Sequence, residues 1–151
     1  TMAPQNAFQT LLGLETLSLR MKKHVSNARK IANWLEQHPK IDKVTYAGLK
    51  SSKYYDLAKS VLPKGAGALF TISLKEGYEA CIKMINKLNL FSHVSNLGDT
   101  RSLIIHPAST VHRQLTEQQQ INAGLAPNVI RLSIGIEDPK DLIDDLKQAL
   151  E

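Results

Sequence analysis

The segment from Asn6 to Gln37 reads as one long helix, and its length constrains what the rest of the chain can be. Asn6 offers an N-cap side chain just after Pro4. Met21, Val25, Ala28, Ala32 and Leu35 recur at steps of four, three, four and three, which places them on one apolar face. His38-Pro39 stops the helix, because the residue before a proline avoids helical geometry. Gly13 is a weak interior point where it can bend. At about 1.5 Å per residue the helix would reach roughly 48 Å if unbroken. A domain of this size has a radius of gyration of only about 15 Å. The helix must therefore bend or project beyond its own core. Its opening stretch (Phe8, Leu11, Leu12, Leu14, Leu17, Leu19) is apolar on more than one face. Two readings stay open: a central core helix, or an end that packs on something outside the chain.

The remaining length allows one domain. The chain has 151 residues, 42% of them hydrophobic, enough to bury a core without metals or disulfides. Cys81 has no second cysteine to pair with, and a lone thiol fits a reducing, cytoplasmic setting. No apolar run reaches the length of about 18 residues that a membrane span needs. No basic stretch followed by an apolar one opens the chain, so no signal peptide is expected. The net charge is +5 and unevenly spread. Residues 1–75 hold 12 Lys/Arg against 4 Asp/Glu, and residues 76–151 hold 7 against 10. The lysines of the basic half stand singly, and the few aromatics are not interleaved among them. That reads as a solvated face, not a nucleic-acid platform.

Shorter elements follow. Lys43 to Ala47 is a strand, Tyr54 to Val61 a short helix stopped by Pro63, and Ala68 to Leu74 a second strand. The Gly65-Ala66-Gly67 run between them leads into a strand, whereas a phosphate loop must open a helix; it is a tight turn. Glu76 to Leu88 is helical, with Cys81 a small core hydrophobe among Ala80, Ile82, Met84, Ile85 and Leu88. Phe91 to Ser95 and Ser102 to His106 are short β-prone runs joined by turn chemistry at Asn96 to Thr100. Thr116 caps a polar helix to Ala123. Val129 to Ile136 is the clearest strand. Asp138 and Pro139 open a last helix with Leu142, Ile143, Leu146 and Leu150 buried, and with Asp141, Asp144 and Asp145 near its positive end. This order favours a two-layer α+β domain with helices on one face of a small sheet.

Two regions could carry chemistry. From Ile130 to Ile136 the strand alternates: Ile130, Leu132, Ile134 and Ile136 point to one side, Arg131, Ser133 and Gly135 to the other. One guanidinium thus stands beside small neighbours. Its planar fork suits a carboxylate ligand; pairing with Glu137 or a nearby aspartate is the structural alternative. Ser95 to His112 is the other polar-rich stretch. His106 and His112 lack further ligands at metal spacing, so no metal site is expected. No Gly-x-Ser-x-Gly elbow supports a serine nucleophile. His24, His38 and His93 read as surface or packing residues.

Several of these segments together resemble a known family. Phe91-Ser92-His93-Val94-Ser95-Asn96-Leu97-Gly98-Asp99, then Ser102-Leu103-Ile104-Ile105-His106-Pro107-Ala108-Ser109-Thr110, then Ile130-Arg131-Leu132-Ser133-Ile134-Gly135-Ile136-Glu137-Asp138 with Asp141-Leu142-Ile143 are similar to the C-terminal part of the cystathionine synthase/lyase family. These are fold-type-I pyridoxal-phosphate enzymes of cysteine and methionine metabolism. Asn6-Ala7-Phe8, Leu12-Gly13-Leu14-Glu15-Thr16-Leu17, Arg20-Met21 and Leu62-Pro63-Lys64-Gly65-Ala66-Gly67-Ala68 fit as well. Asn96 before Leu97-Gly98-Asp99 and the Pro63-to-Gly67 loop most resemble the O-acetylhomoserine sulfhydrylases within it.

The resemblance implies the small C-terminal domain of such an enzyme, over residues 39–151, with residues 1–38 as the helix joining it to the large domain. The fold implied is a small, mostly antiparallel sheet with helices on one face. The reaction implied replaces the acetate of O-acetylhomoserine with sulfide or methanethiol, giving homocysteine or methionine, with pyridoxal phosphate as electron sink. By resemblance, Arg131 holds the substrate's α-carboxylate and Asn96 makes a second contact to it, with Ser95, Leu97, Thr110 and Ser133 as neighbours. The Schiff-base lysine and the rest of the cofactor site lie upstream of Thr1, so no catalytic, cofactor-binding or metal residue is assigned here and the chain alone should be inactive. The partners implied are a small amino-acid substrate, the N-terminal cofactor domain and further copies in a homo-oligomer such as a tetramer, with no nucleic acid or membrane. Val111 stands where relatives carry threonine, which removes a hydroxyl. Two alternatives remain: a cystathionine γ-synthase or a cystathionine or methionine γ-lyase, or a free-standing, non-catalytic interaction domain.

Overall fold

A computed structural model describes residues 1–151. The chain opens with two helices in place of the single helix expected: α1 (Pro4–Glu15) and α2 (Leu17–Glu36). The break falls at Thr16, not at Gly13 (Thr16 has φ −104°, ψ 1°). Arg20 spans it, donating from Nη2 to the Gly13 carbonyl at 2.5 Å and from Nε to the Thr16 hydroxyl at 3.3 Å. A carbonyl released by the interruption thus gains a charged donor. Asn6 does not cap the helix, as it was read to do. Pro4 takes the first position, with Ala3 as a cap that makes no side-chain hydrogen bond. Asn6 lies inside α1, and its carbonyl accepts the Thr10 hydroxyl.

Nine further helices and strands and one 3-10 turn complete the chain: β1 (Ile41–Thr45), α3 (Tyr55–Val61), β2 (Leu69–Leu74), α4 (Tyr78–Lys87), β3 (Ser92–His93), β4 (Leu103–Ile105), the turn Pro107–Ser109, α5 (Glu117–Asn122), β5 (Val129–Ser133) and α6 (Pro139–Leu150). The five strands form one sheet in the order β1-β2-β5-β4-β3, antiparallel except for the β3–β4 pair. This is the small, mostly antiparallel α+β sheet expected. β1 starts two residues earlier than read, since Ile41 pairs with Leu74 across a register shift, and it ends before Tyr46, which turns inward.

Register assigns the two faces of the sheet. Phe70 and Ile72 of β2 pair with Leu132 and Ile130 of β5, and Leu132 pairs with Ile104 of β4. All five are buried and join one core cluster with Ala28, Ile31, Ala32 and Leu35 of α2, Cys81, Met84 and Ile85 of α4, and Leu142, Leu146, Ala149 and Leu150 of α6. The opposite face carries Thr71, Arg131 and Ile105 in one row and Leu69, Ser133 and Leu103 in the next. The buried stripe of α2 is rotated from the one read. His24 and Asn27 are buried, while Met21 is 40% exposed. The reason is hydrogen bonding: His24 Nδ1 donates to the Ile134 carbonyl at 2.6 Å, and Asn27 Nδ2 donates to the carbonyls of Gly135 and Glu137. His24 is therefore a clamp between helix and strand end.

Asp145 was read as a partner of the helix dipole near the start of the last helix. It is buried instead, and its carboxylate accepts the N–H groups of Asn89, Leu90 and Phe91 and the side chain of Gln148. It closes the turn between α4 and β3 by satisfying donors that no ladder reaches. Asp145→Ala should cost about 2 kcal/mol in a denaturant titration, because buried donors lose a charged acceptor. An unchanged midpoint would show that water replaces it.

Cys81 is buried in the core, as read, and burial pushes its thiol up from 9.0 to about 12. The folded state keeps this proton after the unfolded chain has lost it. The associated stability is complete below 9.0 and is lost as pH rises toward about 12. Iodoacetamide at about pH 8 should label Cys81 only after unfolding. Labelling of the native protein would place the thiol outside the core.

Candidate functional site

Arg131 stands at the centre of the sheet's outer face, opposite Thr71 on one side and Ile105 on the other. The period-two pattern of β5 puts it there, since the flanking Ile130 and Leu132 are fully buried on the core side. No carboxylate pairs with it. The only ion pair in the structure joins Arg101 to Asp99, at 3.6 Å. Glu137, the candidate partner in the sequence, accepts the N–H of Ser102 at 2.6 Å and its hydroxyl at 2.9 Å. The guanidinium makes one hydrogen bond, from Nη2 to the main-chain carbonyl of Asn96 at 3.3 Å. Its remaining N–H donors are open to a ligand.

The loop from Ser95 to Thr100 lies over this face. Gly98 N–H donates to the Ser133 hydroxyl at 3.4 Å. Asn96 Oδ1 accepts the N–H of Leu97 at 2.9 Å, which leaves the amide donors of Asn96 free. Arg131, Asn96, Leu97 and Ser133 are thus joined by one set of short contacts. Ser133 is buried under the loop, whereas Asn96, Ser95 and Leu97 are exposed. Thr110 is not brought into this hydrogen-bonded group. Its hydroxyl donates to the His106 carbonyl at 2.7 Å, and Val111 beside it is exposed. Ser95 has no side-chain hydrogen bond to the group.

Residues to which the sequence assigned no supporting role hold the loop in place. Ser102 is fully buried; its hydroxyl accepts the Gly135 N–H at 2.8 Å and donates to Glu137. Position 135 must be glycine, because a Cβ there would collide with the Thr100 carbonyl and the Glu137 carboxylate. This close approach also ends β5 at Ser133, three residues before the alternation in sequence does. His106 is saturated: Nε2 donates to the Pro127 carbonyl at 2.7 Å, and Nδ1 faces the Ser109 hydroxyl at 2.8 Å. It braces the turn after β4 and carries no free nitrogen. The Asp99 carboxyl is held below the usual carboxylate range, chiefly by the Arg101 N–H and then by its guanidinium.

Chemically, the group offers one guanidinium, amide N–H donors and a narrow polar floor. That set suits a carboxylate. Comparison with known proteins decides the family. The model of the Cys/Met metabolism PLP-dependent enzymes matches residues 1–151. The chain belongs to this family. An O-acetyl-L-homoserine sulfhydrylase of Thermus thermophilus is 46% identical over 99% of this chain and 35% of its own length. An L-methionine gamma-lyase of Fusobacterium nucleatum is 42% identical over 99% of the chain and 38% of its own. The crystal structure of a Campylobacter jejuni protein described as an O-acetylhomoserine (thiol)-lyase superposes with a TM-score of 0.92 at 48% identity. That match covers 99% of this chain and 36% of the other, which carries a pyridoxyl-lysine phosphate. The chain thus spans about a third of the length of the relatives it matches.

Pyridoxal phosphate is the cofactor of this family. The hydrogen-bonded group around Arg131 contains no lysine to hold the cofactor's aldehyde, and its single guanidinium fork with amide donors suits a carboxylate. Ser102→Ala should destabilise the fold by about 1–3 kcal/mol and expose the Gly135 amide to faster hydrogen exchange, since a buried N–H loses its acceptor. Unchanged exchange at Gly135 would remove Ser102 from the support of the loop.

Proposed function

We propose that this chain forms the substrate-carboxylate side of a pyridoxal-phosphate-dependent O-acetylhomoserine sulfhydrylase, which makes homocysteine or methionine from O-acetylhomoserine and sulfide or methanethiol. The observation that carries the reading is the guanidinium of Arg131, held over the sheet without an acidic partner. Bound pyridoxal phosphate supplies an electron sink to the reacting amino acid. Arg131 grips the α-carboxylate through two parallel N–H donors, and the free amide of Asn96 adds a second contact. Ser133 and Leu97 form the floor and rim of this grip, with Ser95 and Thr110 at its margin. Together these residues orient the amino acid; they move no proton. Residues 39–151 then act as the small domain and residues 1–38 as the joining helix, with the cofactor domain of the same protein and further copies in a homo-oligomer as partners.

The 42% identity to an L-methionine gamma-lyase supports a second reading, elimination without a thiol acceptor. The two separate by product. A sulfhydrylase consumes sulfide or methanethiol, whereas a lyase releases ammonia and a 2-keto acid from methionine alone.

In the complete enzyme, Arg131→Ala should raise KM for the amino acid roughly ten- to hundred-fold, as expected from loss of hydrogen bonds to a charged group. Arg131→Lys should restore charge without the fork and fall between the two. An unchanged KM in the alanine variant would overturn the assignment.

A further inference from the structure

A second cationic site lies well outside the group around Arg131. A cavity of about 380 Å³ opens between the middle of α2, the end of β1, α3 and the loop at Lys64–Ala66. Arg29, Lys59 and Lys64 line it, and no carboxylate does. None of the three belongs to an ion pair. A cleft lined by one sign of charge focuses its field into the space it encloses.

The surrounding structure sets these cations in place. Lys59 Nζ lies 5.6 Å from the centre of the Tyr55 ring, a cation–π distance that steadies the ammonium at the cavity wall. Tyr46 is buried, and its hydroxyl donates to the Gly67 carbonyl at 2.7 Å, anchoring the loop that carries Lys64. Arg29 lines the same cavity, and its charge opposes the rise that burial gives the Tyr46 pKa. Two glycines keep the walls thin. A Cβ at Gly48 would stand 2.5 Å from the Tyr46 ring, and one at Gly65, where φ is +126°, 2.5 Å from Val25.

We propose that this cavity binds a phosphate group, either free or carried on a small molecule. The guanidinium fork meets two oxygens of a tetrahedral oxyanion, and the two ammonium groups supply point charges to the others. The volume exceeds that of a bare ion and falls in the range of small-ligand pockets, leaving room for a short organic remainder. The site is independent of the sulfhydrylase reading, because it shares no residue with the carboxylate grip.

The test uses the full-length protein saturated with pyridoxal phosphate, so that the cofactor's own phosphate site is filled. Inorganic phosphate and glycerol 3-phosphate are titrated calorimetrically at low ionic strength. Saturable 1:1 binding is expected for at least one, weakened about tenfold or more in R29Q/K59Q/K64Q and unchanged in K140Q. Tighter binding of glycerol 3-phosphate identifies a carried phosphate; equal or tighter binding of inorganic phosphate identifies the free ion. Should the triple variant not fold, acetylation of the wild-type protein mapped by mass spectrometry serves instead: the bound probe should protect Lys59 and Lys64 and leave Lys140 unprotected. Absence of saturable binding, equal affinity in the triple variant, or equal modification of all three lysines overturns the proposal.

Discussion

The two-faced strand β5 is the constraint on which the rest of the molecule depends. It pairs on both sides, with β2 and with β4, so its register is fixed along its length. Ile130, Leu132 and Ile134 then have no choice but the core, and Arg131 and Ser133 no choice but the opposite face. A slip of one residue would bury a guanidinium and expose three isoleucine or leucine side chains. The hydrophobic effect that holds the helices on the sheet is thus also what aims Arg131 outward. Stability and binding geometry come from the same alternation.

This shared origin explains what could be read from the sequence. The alternation of β5, the N-cap at Thr116, the Asp138-Pro139 start of α6 and the burial of Cys81 are local signals, and each reappears in the structure. Arg131 was legible for the same reason. The residues that hold the site were not, because their partners lie far along the chain. Asp145 serves donors 54 to 56 positions away. Ser102 and Glu137 meet across 35 positions, and His24 reaches 110 positions to Ile134. No spacing rule connects such pairs. Asp145 shows the error this produces: in the first half of a helix an aspartate has a ready local explanation, and its buried role leaves no local trace.

The family includes proteins described as sulfhydrylases and as lyases, with similar identity to this chain. The structure makes this overlap understandable. On the proposed reading, what the chain offers around Arg131 is a grip for the group that all α-amino acids share. On that reading, discrimination between a thiol acceptor and none rests on contacts at the other end of the substrate.

The interruption at Thr16 has a mechanical meaning. From His24 onward α2 is bolted to the end of β5 by three side-chain hydrogen bonds and by four core residues. α1 buries no residue at all. Flexural compliance is consequently concentrated in a single peptide unit, bridged only by Arg20. Torque applied to α1 is absorbed there at the expense of two exposed hydrogen bonds. The position of Arg131 on the sheet is insulated from it.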